Sequence, residues 1–170
     1  SCEAVAGQQQ LSCGATDFSL SVNLAQNAAN NFVGPAADAA GNVSPAADVP
    51  TVTEDSQAPV VTVTALVTGD PSPGLTGTID DPMATILVTV HGGAYPATKN
   101  GDGTWTLADN AISPALIDGV YDVLVEATDA AGNTGTDGTT NELTVDLTPP
   151  VVTVASLLTN DATPALAGTV

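Results

Sequence analysis

DGVYDVLVEATDAAGN, residues 118–133, decides the fold. Tyr121, Val123, Val125 and Ala127 alternate with Asp122, Leu124, Glu126 and Thr128, which is the period-two pattern of a strand with one buried face. The stretch opens on Asp-Gly and closes on Asp-Ala-Ala-Gly-Asn, residue types that turns favour because they accept positive φ or bond their own backbone. It therefore predicts a strand over 119–128 leading into a loop, and nearly the same loop string, ADAAGN, occurs at 37–42.

Working outward, the same alternation predicts strands over 60–67, 75–79, 84–90, 104–108 and 141–146, with a short edge strand at 94–98. Asp70-Pro71, Asp80-Asp81-Pro82, Gly92-Gly93 and Asn100-Gly101-Asp102-Gly103 punctuate them as turns. Trp105 and Leu107 share one face. About seven short strands in fewer than about 100 residues, with no competing helical period, predict an all-β chain built on an immunoglobulin-like β-sandwich.

A repeat sets the domain organisation. Residues 59–79, PVVTVTALVTGDPSPGLTGTI, match residues 150–170, PVVTVASLLTNDATPALAGTV, at 12 of 21 positions with an offset of 91. The same offset carries Asp38 onto Asp129 and Asp55 onto Asp146. The expected division is the back part of one unit over 1–55, a whole unit over 56–146, and the first two strands of a third over 147–170. Without an initiator Met, the chain is expected to be an excerpt of a longer tandem array.

Charge excludes several functions. Nineteen Asp and Glu face one Lys and no Arg, a formal charge of −18. Nucleic acid is set aside because phosphate binding runs on Lys and Arg. Membrane insertion is not expected either, since no apolar run approaches the ~18 residues that span a bilayer. A hydrophobic content of 43% argues against disorder.

The opening of the unit, TP-x-L-x-GT in the second strand, NGDGTWTL, DGVYDVLVEATDAAGN and LTVD together resemble the bacterial Ig-like repeats of giant secreted adhesins and biofilm-associated surface proteins. The resemblance covers the middle unit and parts of both flanks, while the start, SCEAVAGQQQLSCGATDF, departs from it. It implies an extracellular spacer rod on a bacterial surface, with neighbouring repeats of the same chain as partners and calcium at the domain junctions. A host or matrix surface would be met by other domains.

In such a sandwich the second-to-third and sixth-to-seventh strand loops lie at the end where the first strand begins. Asp55 of the preceding linker should then converge with Asp80, Asp81, Asp129 and Asn133, and Asp146 should begin the next such site. Several carboxylates within ~6 Å repel by several kcal/mol unless a cation sits among them. Calcium, a hard ion with flexible oxygen coordination, suits them better than magnesium. The same residues serve equally well as a metal-free loop in which Asp caps backbone amides. Neither an EF-hand nor a glycine-rich nonapeptide repeat is present; in NGDGT, Ala111 stands where an EF-hand would need Glu.

Catalysis has little support. His91 stands beside Gly92-Gly93 with no partner motif, and the acidic residues fall on loops. No enzyme activity is expected. Trp105 is expected to anchor the core. Cys2 and Cys13, in an extracellular chain, are expected to close a disulfide, two free thiols being the alternative. The function expected is a structural extender; a carbohydrate- or host-protein-binding module, or an accessory domain of a secreted hydrolase, is the alternative.

Overall fold

The computed structural model describes residues 10–13, 18–36 and 40–170, and every regular element among them is a strand. The chain forms two compact units, residues 1–58 and 59–170. In the first unit β1 (Gln10–Cys13) pairs antiparallel with β2 (Phe18–Ser21), and β3 (Ala28–Gly34) with β4 (Ala47–Glu54). Cys2 lies outside the described residues, and so does the expected bond to Cys13. Asp38, the counterpart of Asp129 in the repeat, lies outside them too.

The second unit holds β5 (Val61–Val63), β6 (Leu66–Thr68), β7 (Leu75–Ile79), β8 (Thr85–Val90), β9 (Gly93–Lys99) and β10 (Thr104–Leu107). It continues with β11 (Gly119–Tyr121), β12 (Val123–Thr128), β13 (Thr134–Thr136), β14 (Leu143–Val145), β15 (Thr153–Val154) and β16 (Gly168–Thr169). One layer of the sandwich is β5-β7-β10. The other runs β13-β12-β8-β9, and the sheet β11-β14-β6 carries it on, since β11 passes into β12 across Asp122. β9 joins the layers: Gly93–Ala97 pairs with β8, and Thr98 and Lys99 pair with β10.

Between the layers lie the inward positions of the alternating strands: Val61, Leu75, Ile79, Ile86, Val88, Trp105, Leu107, Val123, Val125, Leu143 and Val145. Trp105 is 0% exposed and its indole N–H donates to the Thr62 carbonyl at 2.9 Å, so it anchors the core as expected. The Tyr121 hydroxyl donates to the Ile117 carbonyl at 2.9 Å, the tyrosine corner found where this strand enters an immunoglobulin sandwich.

Three features differ from the expected strands. The strand over 60–67 is broken at Thr64-Ala65, so that β5 pairs antiparallel with β7 and β6 pairs parallel with β14. The loop before the last strand contains β13, which extends the β12 hairpin. Between β13 and β14 the chain bulges: Glu126 opposes Thr136 but Tyr121 opposes Leu143, two extra residues on the outer strand. The bulge strips the Val123 amide of a strand partner, and the buried Glu142 side chain replaces it, accepting that N–H at 3.0 Å.

The 91-residue offset recurs in the pairing. Thr62 opposes Thr78 and Val63 opposes Gly77; Thr153 opposes Thr169 and Val154 opposes Gly168. Ala28 opposes Glu54 and Asn30 opposes Val52; Gly119 opposes Val145 and Tyr121 opposes Leu143. β3 also slips register between Asn30 and Phe32, at the place of the later bulge.

Candidate functional site

The two ends of the sandwich hold the residues that the sequence singled out. At the entry end, Asp80 fixes the start of β5: its Oδ1 accepts the Val60 N–H at 2.7 Å, and its own N–H donates to the Val60 carbonyl at 3.2 Å. Gly135 lies against the Pro59 carbonyl so closely that a Cβ would overlap it, which brings β13 to the same entry. Asp81 accepts the Met83 N–H at 2.7 Å and shapes the turn into β8.

Asp129 serves its own loop. Its Oδ1 accepts the amides of Ala131 and Asn133, both at 2.8 Å, and its Oδ2 accepts the Asn133 side-chain amide at 2.8 Å. Gly132, at φ 95°, closes the turn. The Asn133 side chain above all, with the amides of Asn133, Gly132 and Ala131, holds the Asp129 carboxyl below the usual carboxylate range against an opposing desolvation effect. Asp55 belongs to the first unit, where its Oδ1 accepts the Gln57 N–H at 3.2 Å.

Among the described residues no three His, Cys, Asp or Glu side chains gather as a metal site would gather them. Within the second unit Asp80, Asp81 and Asp129 each accept backbone amides.

The exit end carries a device that the strand reading missed. Asp118, in the turn before β11, accepts the Leu147 N–H with Oδ1 and the Thr148 hydroxyl with Oδ2 at 2.9 Å. Asp146 accepts the Thr148 N–H at 3.1 Å. Ninety-one residues earlier Asn27 accepts the Ser56 N–H at 2.8 Å and the Ser56 hydroxyl at 3.4 Å. The chain leaving β4 is thus held by the residue that precedes β3, and the chain leaving β14 by the residue that precedes β11. The signal was present in the offset, which pairs Asn27 with Asp118 and Ser56 with Leu147.

His91 is a turn residue. At φ 49°, followed by Gly92 at φ 80°, it forms the two-residue connection that sets Val90 opposite Gly93. Its ring meets Tyr121 edge-on, with centroids 5.4 Å apart. Trp105 offers no face for sugar stacking, being enclosed in the core.

A two-layer β-sandwich with a tyrosine corner and a parallel pair between its first and last strands is an immunoglobulin-like domain. The chain belongs to the bacterial Ig-like domain family, which matches residues 46–147. No curated protein matches it. Among solved structures it is similar to SGBP-B of the Bacteroides ovatus mixed-linkage glucan utilization locus, in complex with a mixed-linkage heptasaccharide, at 16% identity and a TM-score of 0.31. That similarity covers 86% of this chain, which spans 36% of the length of the other.

Proposed function

We propose that the chain is a non-catalytic extender segment of a bacterial cell-surface or secreted adhesin, a run of Ig-like repeats that holds other domains away from the cell. The observation that carries this reading is the recurring exit clamp. Asn27 on Ser56, and Asp118 on Leu147 and Thr148, restrain the linker at the point where a flexible tether would be free. Recurrence of the strand registers at the same offset supports the repeat. No helix among the described residues is long and apolar enough to cross a membrane.

Small-angle scattering from the whole chain tests it. The expected result is an extended particle whose maximum dimension shortens and spreads when Asn27→Ala removes the clamp on Ser56. A wild-type profile of freely jointed units, unchanged by Asn27→Ala, would overturn the extender reading. Retention on a glycan array would favour the binding-module alternative.

Calcium is the second part of the proposal. A charge of −18 and the junction residues Asp55, Asp80, Asp81, Asp129 and Asn133 support it, with Asp146 opening the following site. An ion would have to share oxygens that already accept amides at Asp80, Asp81 and Asp129. The expected result is a rise in melting temperature with millimolar calcium, reversed by a chelator. Identical melting curves in both would remove calcium and leave the spacer.

A further inference from the structure

The turn from β9 to β10 reads Asn100-Gly101-Asp102-Gly103, and Asn100-Gly101 is the only Asn-Gly pair in the chain. All four residues are exposed, and Gly101 and Gly103 both sit at φ 83°. Asn followed by Gly is chemically labile. With no Cβ on the glycine to hinder the approach, its amide nitrogen attacks the asparagine side-chain carbonyl carbon. The C–N bond of the side-chain amide breaks, ammonia leaves, and a five-membered succinimide ring joins the two residues. Water then opens the ring at either carbonyl, leaving aspartate or, where the main chain now runs through the side chain, isoaspartate. One water is taken up and one ammonia released, with no oxidant or cofactor.

The folded hairpin points that carbon away from its attacker. The Asn100 N–H donates to the Thr104 carbonyl at 2.9 Å, and the two hydrogens of its side-chain amide go to the hydroxyls of Thr104 at 2.8 Å and Thr106 at 3.0 Å. Thr106 stands opposite Thr98, two residues before Asn100. The carboxamide is therefore drawn back along the sheet, whereas Gly101 lies ahead of it in the turn. The far side of the turn is held as well: the Gly103 carbonyl accepts the Ile79 N–H at 2.9 Å, and Asp102 Oδ1 accepts the Thr104 N–H at 3.0 Å. Asp102-Gly103 repeats the spacing, but an ionised carboxylate is a poor target for a nucleophile, so the reactive pair is Asn100-Gly101.

We propose that Asn100 is a latent modification site, guarded by the Thr104 and Thr106 hydroxyls, which deamidates when the β9–β10 turn opens and so records the opening in covalent form. The product cannot rebuild the guard. A carboxylate has no hydrogens to give, so the threonine hydroxyls would have to donate instead, and that of Thr104 is already given to Asp102 at 2.5 Å. Isoaspartate also lengthens the main chain at the residue that closes the hairpin. Either product adds a negative charge two residues from Asp102, in a chain already at −18. A turn that has reacted therefore opens more readily than before. The inference stands apart from the extender reading and from calcium.

Peptide mapping by mass spectrometry tests it, on the whole chain held in warm, mildly alkaline buffer. Conversion is read as a gain of one mass unit on the fragment containing Asn100, and isoaspartate by its separate elution. In guanidinium chloride that fragment is expected to convert at least about tenfold faster than in the folded chain. Thr106→Val removes one acceptor without touching the contact between Thr104 and Asp102, and is expected to speed conversion of the folded chain about threefold. Thr106→Ser, which keeps the hydroxyl, should convert at the wild-type rate. So should Thr76→Val, which makes the same change opposite Thr106 on β7 and so reports any general loosening of the sheet. Equal rates in the folded and denatured wild-type chain, or Thr106→Val no faster than Thr106→Ser or Thr76→Val, would overturn the guard. Conversion of Asn100 no faster than that of the other asparagines in the denatured chain would overturn the site itself.

Discussion

Residues 59–79 and 150–170 build the same hairpin in two different surroundings. In both, the Thr hydroxyls of the facing strands bond across the pair, Thr62 to Thr78 at 2.6 Å and Thr153 to Thr169 at 2.7 Å. In both, the turn is closed by an Asp that accepts the amide two residues on, Asp70 from Ser72 at 2.8 Å and Asp161 from Thr163 at 2.9 Å. Their inward faces part company. Val61 and Leu75 are 4% and 2% exposed, whereas their counterparts Val152 and Leu166 are 66% and 72% exposed. Register and turn geometry are therefore local properties of the sequence. Burial is conferred by the strands over 84–145, and the apolar contribution to stability, about 25 cal/mol per Å², accrues to the first hairpin.

The sharpest way to break this comparison is to put the same side chain into both hairpins. A Cβ on Gly77 would overlap the Thr62 carbonyl and crowd the Trp105 indole nitrogen at 2.6 Å, while a Cβ on Gly168 would overlap the Thr153 carbonyl alone. Gly77→Val should part β5 from β7 and displace the tryptophan, costing about 3 kcal/mol or more and lowering the melting temperature by roughly 10 °C or more. Gly168→Val should open β15 and β16 and leave that transition within about 1 °C. Calorimetry of the two variants decides it: equal losses would show that the tail hairpin contributes to the cooperative unit.

The interior bulge provides the next contrast, since β3 and β4 slip register at the equivalent place without a buried acid. Glu142 is 5% exposed, its Oε2 holds the Val123 amide, and its Oε1 has no partner among the described residues. At the matching position of the first unit, Thr51 instead bonds the Asn31 side chain at 2.6 Å on the outside. Glu142→Ala should orphan the Val123 N–H in the interior and cost about 1–3 kcal/mol. Glu142→Gln keeps a carbonyl acceptor and should recover most of that loss. If denaturant midpoints show Gln as costly as Ala, the hydrogen bond is not what holds the bulge.

These cases also show how far the sequence could be read. Strict alternation placed β7 over the predicted residues and β8 within one, because each contributes inward residues at every second position, and Trp105 and Leu107 fell on the core face for the same reason. Alternation fails where the backbone leaves the period. Glu142 and Leu143 are both buried although they are adjacent, which a period of two forbids within a strand; Glu142 lies just outside β14, after Asn141 at φ 63° has turned the chain. The break at Thr64-Ala65 was equally hidden, since Val63 and Leu66 both carry apolar side chains and nothing between them is a turn residue. The charged loops were found, but their chemistry was not decided by residue type. A carboxylate beside Gly and Asn suits an amide cap as well as a cation, and only the hydrogen bonds show Asp129 acting as the cap.

The last contrast concerns that cap, at a loop which the whole unit has and the 150–170 hairpin lacks. Folding lowers the Asp129 carboxyl below its ordinary value, chiefly through Asn133, so the ionised form is the one that the folded loop favours. A depressed carboxyl contributes stability at every pH above its unfolded value, near 3.9, and the contribution fades as pH falls through the lower folded value. Asp129→Ala should therefore lower the melting temperature by roughly 2 °C at neutral pH. The gap between the variant and the wild type should begin to narrow as pH drops below about 4 and close in stronger acid. The loop is exposed, so Asp129→Asn tests charge separately from shape: it keeps an acceptor for the Ala131 and Asn133 amides and should remove most of the pH dependence while retaining part of the stability. A gap that persists unchanged into strong acid would mean that the side chain supports the loop without its charge. In that case the Asn133 contact, not ionisation, would be what distinguishes this end of the sandwich.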